Sequence, residues 1–258
     1  MPLAVSDFPL SSERASIVEV LDHAPSTNDV ALARAADLPD GAVILTDNQT
    51  SGRGRLGRVW SAPPGTMLAV SLVVRPKGLA PELFSWFPLI AGLAMSRALS
   101  TFISEPARVK WPNDVLIGEK KVCGILTELI PDLSGVVIGS GINLFLRPDE
   151  LPTSQATSLY IAGARDVEPD RVLAEYLREF DELYRSLLEH DGDVELSGVR
   201  EAVAAGCHTL GRDVRVELPG GRSQTGVAVG LDDSGRLVVE TDRGLLEVAA
   251  GDVIHLRY

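Results

Sequence analysis

Apolar residues in the first part of the chain come in short runs broken by glycine, proline and aspartate, with a spacing that shifts between strand and helix periods. Residues 16–22 alternate like an edge strand. Pro25-Ser26-Thr27-Asn28-Asp29 opens a helix reaching about Ala36, with Ser26 or Thr27 at the N-cap. Gly41 leads into a strand over 42–46. Met67 to Val74 is apolar at nearly every position, as a strand buried on both faces requires. A long core helix follows over 84–102. Residues 107–111 and 115–117 are short strands, broken by Pro112-Asn113-Asp114. Gly118-Glu119-Lys120 then reads as a tight turn into a strand over 121–130. Val136 to Phe145 is the next strand, and it carries Gly139 and Gly141. Glycine inside a strand marks either the close approach of a ligand or backbone, or a β-bulge. An amphipathic helix over 168–190 begins at Pro169-Asp170, and a short helix covers 196–205.

Past Gly206 the pattern changes to short strands at regular spacing, over 214–218, 226–231, 237–241 and 245–248. They are separated by Pro-Gly-Gly and Asp-Asp-Ser-Gly turns, the signature of a small all-β barrel. Residues 1–15 show little periodicity and read as a flexible N-terminus. The organisation expected is α/β (α+β): a catalytic domain over 16–206 with a mixed β-sheet flanked by helices, then a small barrel over 207–258.

A chain of 258 residues holds one large and one small domain with ample core. Its net charge of −12 argues against nucleic-acid binding, which usually needs a basic face. The two cysteines, Cys123 and Cys207, have no metal or disulfide spacing, and Cys123 reads as a small buried hydrophobe. The N-terminus lacks a basic segment followed by an apolar core, and no apolar run approaches ~18–20 residues. A cytoplasmic protein is expected, with neither DNA nor membrane as partner, as a monomer or weak homodimer.

Against that acidic background, residues 49–60 stand out. They set Arg53, Arg55 and Arg58 between Gly52, Gly54 and Gly57, and end at Trp60. Glycine lets backbone approach a ligand, and arginine offers a permanently charged fork for carboxylate or phosphate. The segment reads as an anion clamp, or else as a solvated basic turn. Further on, Lys110-Trp111-Pro112-Asn113-Asp114 and Lys120-Lys121 lie on a strand, a kink and a hairpin. That arrangement brings two lysines, an amide and a carboxylate to one small volume. Taken singly, Lys120-Lys121 is a hairpin tip and Asp114 a turn residue; their combination gives them a chemical reading.

These segments closely resemble the biotin protein ligases. The matching pieces, in family order, are Ser26-Thr27-Asn28, the Gln49 to Trp60 loop, Lys110 to Asp114, Lys121 with Gly124-Ile125-Leu126, Gly139-Ser140-Gly141-Ile142-Asn143, and Ala156-Thr157-Ser158-Leu159. They span roughly residues 20 to 160, and the resemblance extends to an SH3-like C-terminal domain. It implies ATP-dependent activation of biotin as biotinoyl-5′-adenylate with Mg2+ accompanying ATP, then transfer to a lysine on the biotin carrier domain of an acyl-CoA carboxylase or pyruvate carboxylase. It places Lys121, Arg55, Asp114 and Lys110 in catalysis. Lys121 would bridge carboxylate and α-phosphate. Asp114 would orient the acceptor amine and relay its proton, and Lys110 would tune Asp114 or contact phosphate. Ser26, Thr27, Asn28, Gln49, Gly52, Arg53, Gly54, Arg55, Lys121, Gly124, Gly139 and Gly141 would serve biotin. Arg53, Arg55, Arg58, Trp60, Asn113, Lys121 and Asn143 would serve the nucleotide, with Trp60 either stacking on adenine or anchoring the loop. No residues are assigned to a metal. The first family motif begins at Ser26, which points to the kind without a DNA-binding domain. A lipoate-type ligase would show an Arg-Arg and a Ser-Gly-Gly-Gly stretch that is lacking here. A non-catalytic binding module would not need Lys121 and Asp114 together.

Overall fold

The computed structural model describes residues 3–218, 222–249 and 252–256. Its elements follow in chain order: α1 (Pro9–Ser12), β1 (Ile17–Val20), α2 (Thr27–Ala33), β2 (Ala42–Thr46), β3 (Gly52–Arg53), β4 (Val59–Trp60), β5 (Met67–Val74), α3 (Phe87–Ser100), β6 (Ala107–Lys110), β7 (Asp114–Ile117), β8 (Lys120–Leu129), β9 (Val136–Asn143), α4 (Pro169–Glu189), α5 (Val199–Gly206), β10 (Asp213–Leu218), β11 (Arg222–Leu231), β12 (Leu237–Thr241), β13 (Gly244–Val248) and β14 (Asp252–His255).

Seven strands form one mixed sheet in the order β1-β2-β5-β9-β8-β7-β6, with β1 and β2 parallel and every other pair antiparallel. All residues of β5 are buried, because both faces of the sheet are covered. Leu68, Val70, Leu72 and Val74 point to the side packed by α3 and α4, while Val73 joins Ala31 of α2 and Ile44 in a smaller core on the other side. α2 is short and covers only part of that second face. Beyond it, the strand residues facing outward are Ala69, Gly124, Gly139 and Gly141, and a cavity opens over them.

Two helices start where glycine or proline chemistry sets them. The helix expected over 84–102 is a 3-10 turn, Pro81–Trp86, followed by α3, with Pro88 in α3's first turn, where its missing N–H costs nothing. α5 starts only at Val199, because Gly198 before it adopts φ 70°. The stretch Pro81–Ser100 reaches the length and mean hydropathy of a membrane span, although Glu82 and Arg97 bound its uninterrupted apolar run. Yet 72% of its most apolar window is buried, so that surface is spent on the core.

The N-terminal segment also departs from expectation. Residues 3–15 are docked, with Phe8 fully buried. Asp170 at the start of α4 accepts the Leu10 and Ser11 backbone N–H at 2.9 Å and the Ser11 hydroxyl at 2.6 Å. One aromatic and one carboxylate fix this segment, so no repeating apolar pattern announces it.

The C-terminal strands form a separate antiparallel sheet in the order β13-β12-β11-β10-β14, with a register shift in β11 between Ala228 and Gly230. β14 was not expected. Among the described residues no pair joins β13 to β14 to close a barrel, and the Pro-Gly-Gly turn lies outside them. The two sheets are joined by buried indoles. Trp86 Nε1 donates to the Asp233 carbonyl at 2.9 Å, and Trp111 Nε1 to the Gly235 carbonyl at 3.0 Å.

Because Asp170 satisfies three donors from one buried position, Asp170→Ala should lose about 2–3 kcal/mol of stability, a charged acceptor being worth more than a neutral one. Urea unfolding gives the magnitude. Limited proteolysis should show cleavage within residues 3–15 in the variant and protection in the parent.

Candidate active site

The site is built on the sheet face that α2 leaves bare. A cavity of about 380 Å³ is lined by Ser26, Thr27, Asn28 and Gln49 at one end and by Arg55, Asn113, Asp114 and Lys121 at the other, with Gly124, Gly139 and Gly141 among its strand residues. Next to it lies a second cavity of about 700 Å³, whose lining includes Asn143, Thr153, Gln155 and Ala156. Trp60, Lys110, Asp114 and Lys121 line both.

The glycines are explained by what stands where their side chains would be. A Cβ on Gly141 would come within 2.5 Å of Trp60 Cε2, and one on Gly124 within 2.8 Å of Lys121 Nζ. A Cβ on Gly139 would run into Asn28 Oδ1, and one on Gly52 into the Trp60 carbonyl. Of the two readings for glycine in β9, close approach is the one the structure adopts. β8 and β9 pair without a shift from Cys123–Ile142 to Leu129–Val136.

At the first end, the start of α2 is secured unexpectedly. Ser26 occupies the N-cap position but its side chain makes no capping bond. The Thr27 N–H donates instead to Gln49 Oε1 at 2.9 Å, so the loop itself caps the helix. Ser71 Oγ lies 2.8 Å from Thr27 Oγ1 and 2.6 Å from Asn28 Oδ1. Asn28 Nδ2 donates to the Leu126 carbonyl at 3.0 Å and to Glu128 at 2.8 Å, which fixes the direction of its amide.

The Arg/Gly segment is a hairpin. β3 and β4 pair Gly52 with Trp60, and the tip turns through positive φ at Leu56 and Gly57. Its arginines part company. Arg53 is paired with Asp29 and Glu128 at the rim, so its guanidinium faces carboxylates rather than the second cavity. Arg55 is turned inward, donating to Asn113 Oδ1 at 2.9 Å, and burial pushes its guanidinium below the ordinary arginine range. Arg58 lines the first cavity.

At the junction, Lys121 Nζ stands 2.6 Å from Asp114 Oδ1 and 5.5 Å from the centre of the Trp60 ring. Asp114 and Lys121 face each other because β7 and β8 form a hairpin with a register shift between Val115 and Leu116. The Pro112-Asn113 turn is clipped to β8, Ile125 N–H donating to the Asn113 carbonyl and Asn113 Nδ2 to the Ile125 carbonyl, both at 2.8 Å. Lys121 is bound through its backbone as well: its N–H donates to the Gln155 carbonyl at 2.7 Å, and its carbonyl accepts from Thr157 at 2.8 Å. Burial pushes the Lys110 ammonium below the ordinary lysine range; Asp114 opposes that shift, and Lys121 and Arg58 add to it. Asn143 donates to the Thr157 carbonyl at 2.9 Å, its amide serving the 156–159 segment at the edge of the second cavity.

The structure thus gathers Ser26, Thr27, Asn28, Gln49, Gly54, Arg55, Arg58, Trp60, Lys110, Asn113, Asp114, Lys121, Gly124, Gly139 and Gly141 around one cavity, with Arg53 at its rim and Asn143 in the adjoining one. Gly52 acts behind the wall, through the hairpin pairing. Sequence reasoning missed Ala69, Ser71, Gln155 and the C-terminal residues Glu217, Val253, Ile254 and His255. Gln155 sits beside a quoted motif and was within reach. The others carry no signal of their own: Ser71 is a buried strand residue that holds Thr27 and Asn28 from behind, and the rest are ordinary strand residues that topology delivers to the cavities. Cys123 is buried with its thiol pushed up by burial, as a packing residue should be.

Two adjoining cavities meet at one lysine, with inward arginine and amide groups beside it, a lining suited to anionic or polar ligands. Comparison with known proteins gives the family. Residues 20–143 match the biotin/lipoate A/B protein ligase family, and residues 209–256 match the biotin protein ligase C terminal domain. The biotin--[acetyl-CoA-carboxylase] ligase of Mycobacterium tuberculosis is 36% identical over 245 residues, covering 93% of this chain and 89% of the relative. The bifunctional ligase/repressor of Bacillus subtilis is 32% identical over 83% of this chain and 66% of its own length. The structure of the Aquifex aeolicus biotin protein ligase in complex with biotin and ATP superposes with a TM-score of 0.78 at 31% identity, covering 94% of this chain and 100% of that one. The chain belongs to the biotin protein ligase family, and it is a ligase.

Gly141→Ala should displace the Trp60 ring, at about 1–3 kcal/mol of overpacking. Tryptophan emission should shift to the red and become easier to quench with acrylamide, while circular dichroism stays unchanged. Identical emission and quenching would show that the ring does not rest on Gly141.

Proposed function

We propose that this ligase activates biotin with ATP as biotinoyl-5′-adenylate and transfers it to a lysine of a carboxylase biotin carrier domain. The observation that carries the reading is Lys121, whose ammonium stands between the two cavities beside Asp114. The 380 Å³ cavity suits biotin, with Thr27, Asn28 and Gln49 for the polar ring and the carboxylate directed at Lys121 and Arg55. The adjoining cavity suits the nucleotide, with Trp60 and Asn143 on its walls.

In the first step a biotin carboxylate oxygen bonds to the α-phosphorus, and the bond to the bridging oxygen breaks to release pyrophosphate. Lys121 leaves Asp114 to neutralise the two approaching anions, while Arg55, already desolvated, orients the carboxylate. Charge already held at the junction keeps the movement this requires small. A hard oxygen donor such as Asp114 fits Mg2+, which would screen the phosphates when bound with ATP. In the second step the acceptor amine attacks the acyl carbon, AMP leaves, and Asp114 takes or relays the amine proton, since a free lysine is largely protonated near neutral pH.

The family model covers lipoate as well as biotin ligases, but the C-terminal domain match and the named relatives favour biotin. The acidic balance, −12 overall, supports a ligase that works on protein rather than DNA. Pyrophosphate release from ATP should follow addition of biotin and not of lipoate or octanoate.

Lys121→Ala should stay folded and lose adenylate formation by about a hundredfold or more, the usual cost of one preorganised donor. Near-parental pyrophosphate release would remove Lys121 from the chemistry. Arg55→Gly should loosen biotin binding and let the adenylate escape. Bystander proteins would then become labelled, which is read by streptavidin blotting of a mixture that the parent leaves clean.

A further inference from the structure

Glu119 lies in the turn between β7 and β8, two positions before Lys121, and the chemistry above gives it no task. Its carboxylate is nevertheless the meeting point of three groups from the C-terminal part of the chain. His208 Nε2 lies at 2.9 Å, Arg212 Nη1 at 3.0 Å and His255 Nδ1 at 4.0 Å. Burial acts to raise the Glu119 carboxyl, but the hydrogen bond from His208 and the charge of Arg212 outweigh it and hold the carboxyl below the usual range. The same short segment grips the other catalytic arm. The His208 N–H donates to the Val109 carbonyl at 2.7 Å, and Thr209 Oγ1 accepts from the Trp111 N–H at 3.0 Å. Lys110, Asp114 and Lys121 therefore sit on two arms, and residues 207–212 hold one arm at Val109–Trp111 and the other at Glu119.

The donor atoms of Glu119, His208 and His255 lie within 4.8 Å of one another, close enough to consider a metal ion. Arg212 already stands on the carboxylate and 3.4 Å from His208 Nδ1, which favours an ion-paired joint over a bound cation.

We propose that Glu119 is a positioning residue for the adenylation step: His208 and Arg212 of the C-terminal domain grip it, and this fixes the β7–β8 turn so that Lys121 stands at the junction of the two cavities. The inference rests on the adenylation chemistry proposed above. It makes the C-terminal domain part of the catalytic geometry through one carboxylate. Its effect should fall on turnover rather than on biotin binding, since the biotin end of the cavity is built from Ser26 to Asn28 and Gln49, on the far side from the turn.

The test is biotin-dependent pyrophosphate release by Glu119→Ala, Glu119→Gln, Arg212→Ala and the Glu119→Ala/Arg212→Ala double variant. Hydrogen exchange of the 114–121 amides is measured on the same proteins, with folding checked by thermal melts. Glu119→Ala should lower kcat by about tenfold or more, since small misplacements of a reacting group are costly, and leave KM for biotin within about twofold. Glu119→Gln, which keeps an acceptor oxygen for His208 but loses the charge, should fall between. The double variant should be no worse than Glu119→Ala, and exchange at the turn should quicken. A folded Glu119→Ala with parental kcat would overturn the proposal, as would a rise in biotin KM alone or losses that multiply in the double variant. If the parent releases no pyrophosphate with biotin, the adenylation reading fails. Exchange at the turn then decides the Glu119 contact alone, unchanged exchange overturning it and faster exchange sustaining it.

Discussion

Two anions react only where positive charge is already in place, and on the function proposed above that charge is the Lys121 ammonium, held 2.6 Å from Asp114. A flexible lysine does not stay at one point of a cavity by itself, because ordering its chain costs conformational entropy. The surrounding structure supplies the constraint. Backbone bonds from Gln155 and Thr157 fix both sides of its peptide unit, and Trp60 lies along its path. Asp114 is set by a turn clipped to Ile125. The hairpin, the 153–159 segment and the Arg/Gly loop can all be understood as ways of fixing one charge.

That charge works only if the space around it is shaped, and the shaping is done by missing side chains. Gly124 and Gly141 let Trp60 lie directly on the strands, so that one ring forms a wall for two cavities. Gly139 admits the Asn28 amide, whose orientation is then locked by Glu128 and Leu126. Side chains at these positions would fill the floor and leave a better-packed sheet with less room for a ligand.

Much of this was legible in the chain because it is local. β5 is apolar except at Ser71 and buried throughout, and the break at Pro112-Asn113 with the turn at Gly118 foretold the hairpin that brings the Lys121 ammonium beside Asp114. The Arg/Gly segment read as an anion clamp or a solvated turn, with no sign that Arg53 would be tied to Asp29 and Glu128 while Arg55 turned inward. That choice is made by carboxylates distant in sequence. The same reason hid the N-terminal docking, where Ser11 meets Asp170, and the contribution of β14, whose short strand reaches the cavity only because a second domain is folded against it. Contacts carried by one polar side chain leave no periodicity to read.

The segment that joins the two sheets also protects the molecule. β6 is the last strand of the seven-stranded sheet, and such a strand ordinarily shows unpaired N–H and C=O groups to any passing chain. Here Cys207 bridges Val109 in parallel, the His208 N–H donating to the Val109 carbonyl, so the middle of the outer side of β6 is covered by the chain itself. A protein cut before residue 207 would keep its lysine, its arginines and its glycine floor, yet it would bare a β-edge open to self-association. The cover over this edge and, on the inference drawn above, the placing of Lys121 thus draw on the same few residues, and removing the C-terminal domain would disturb both at once.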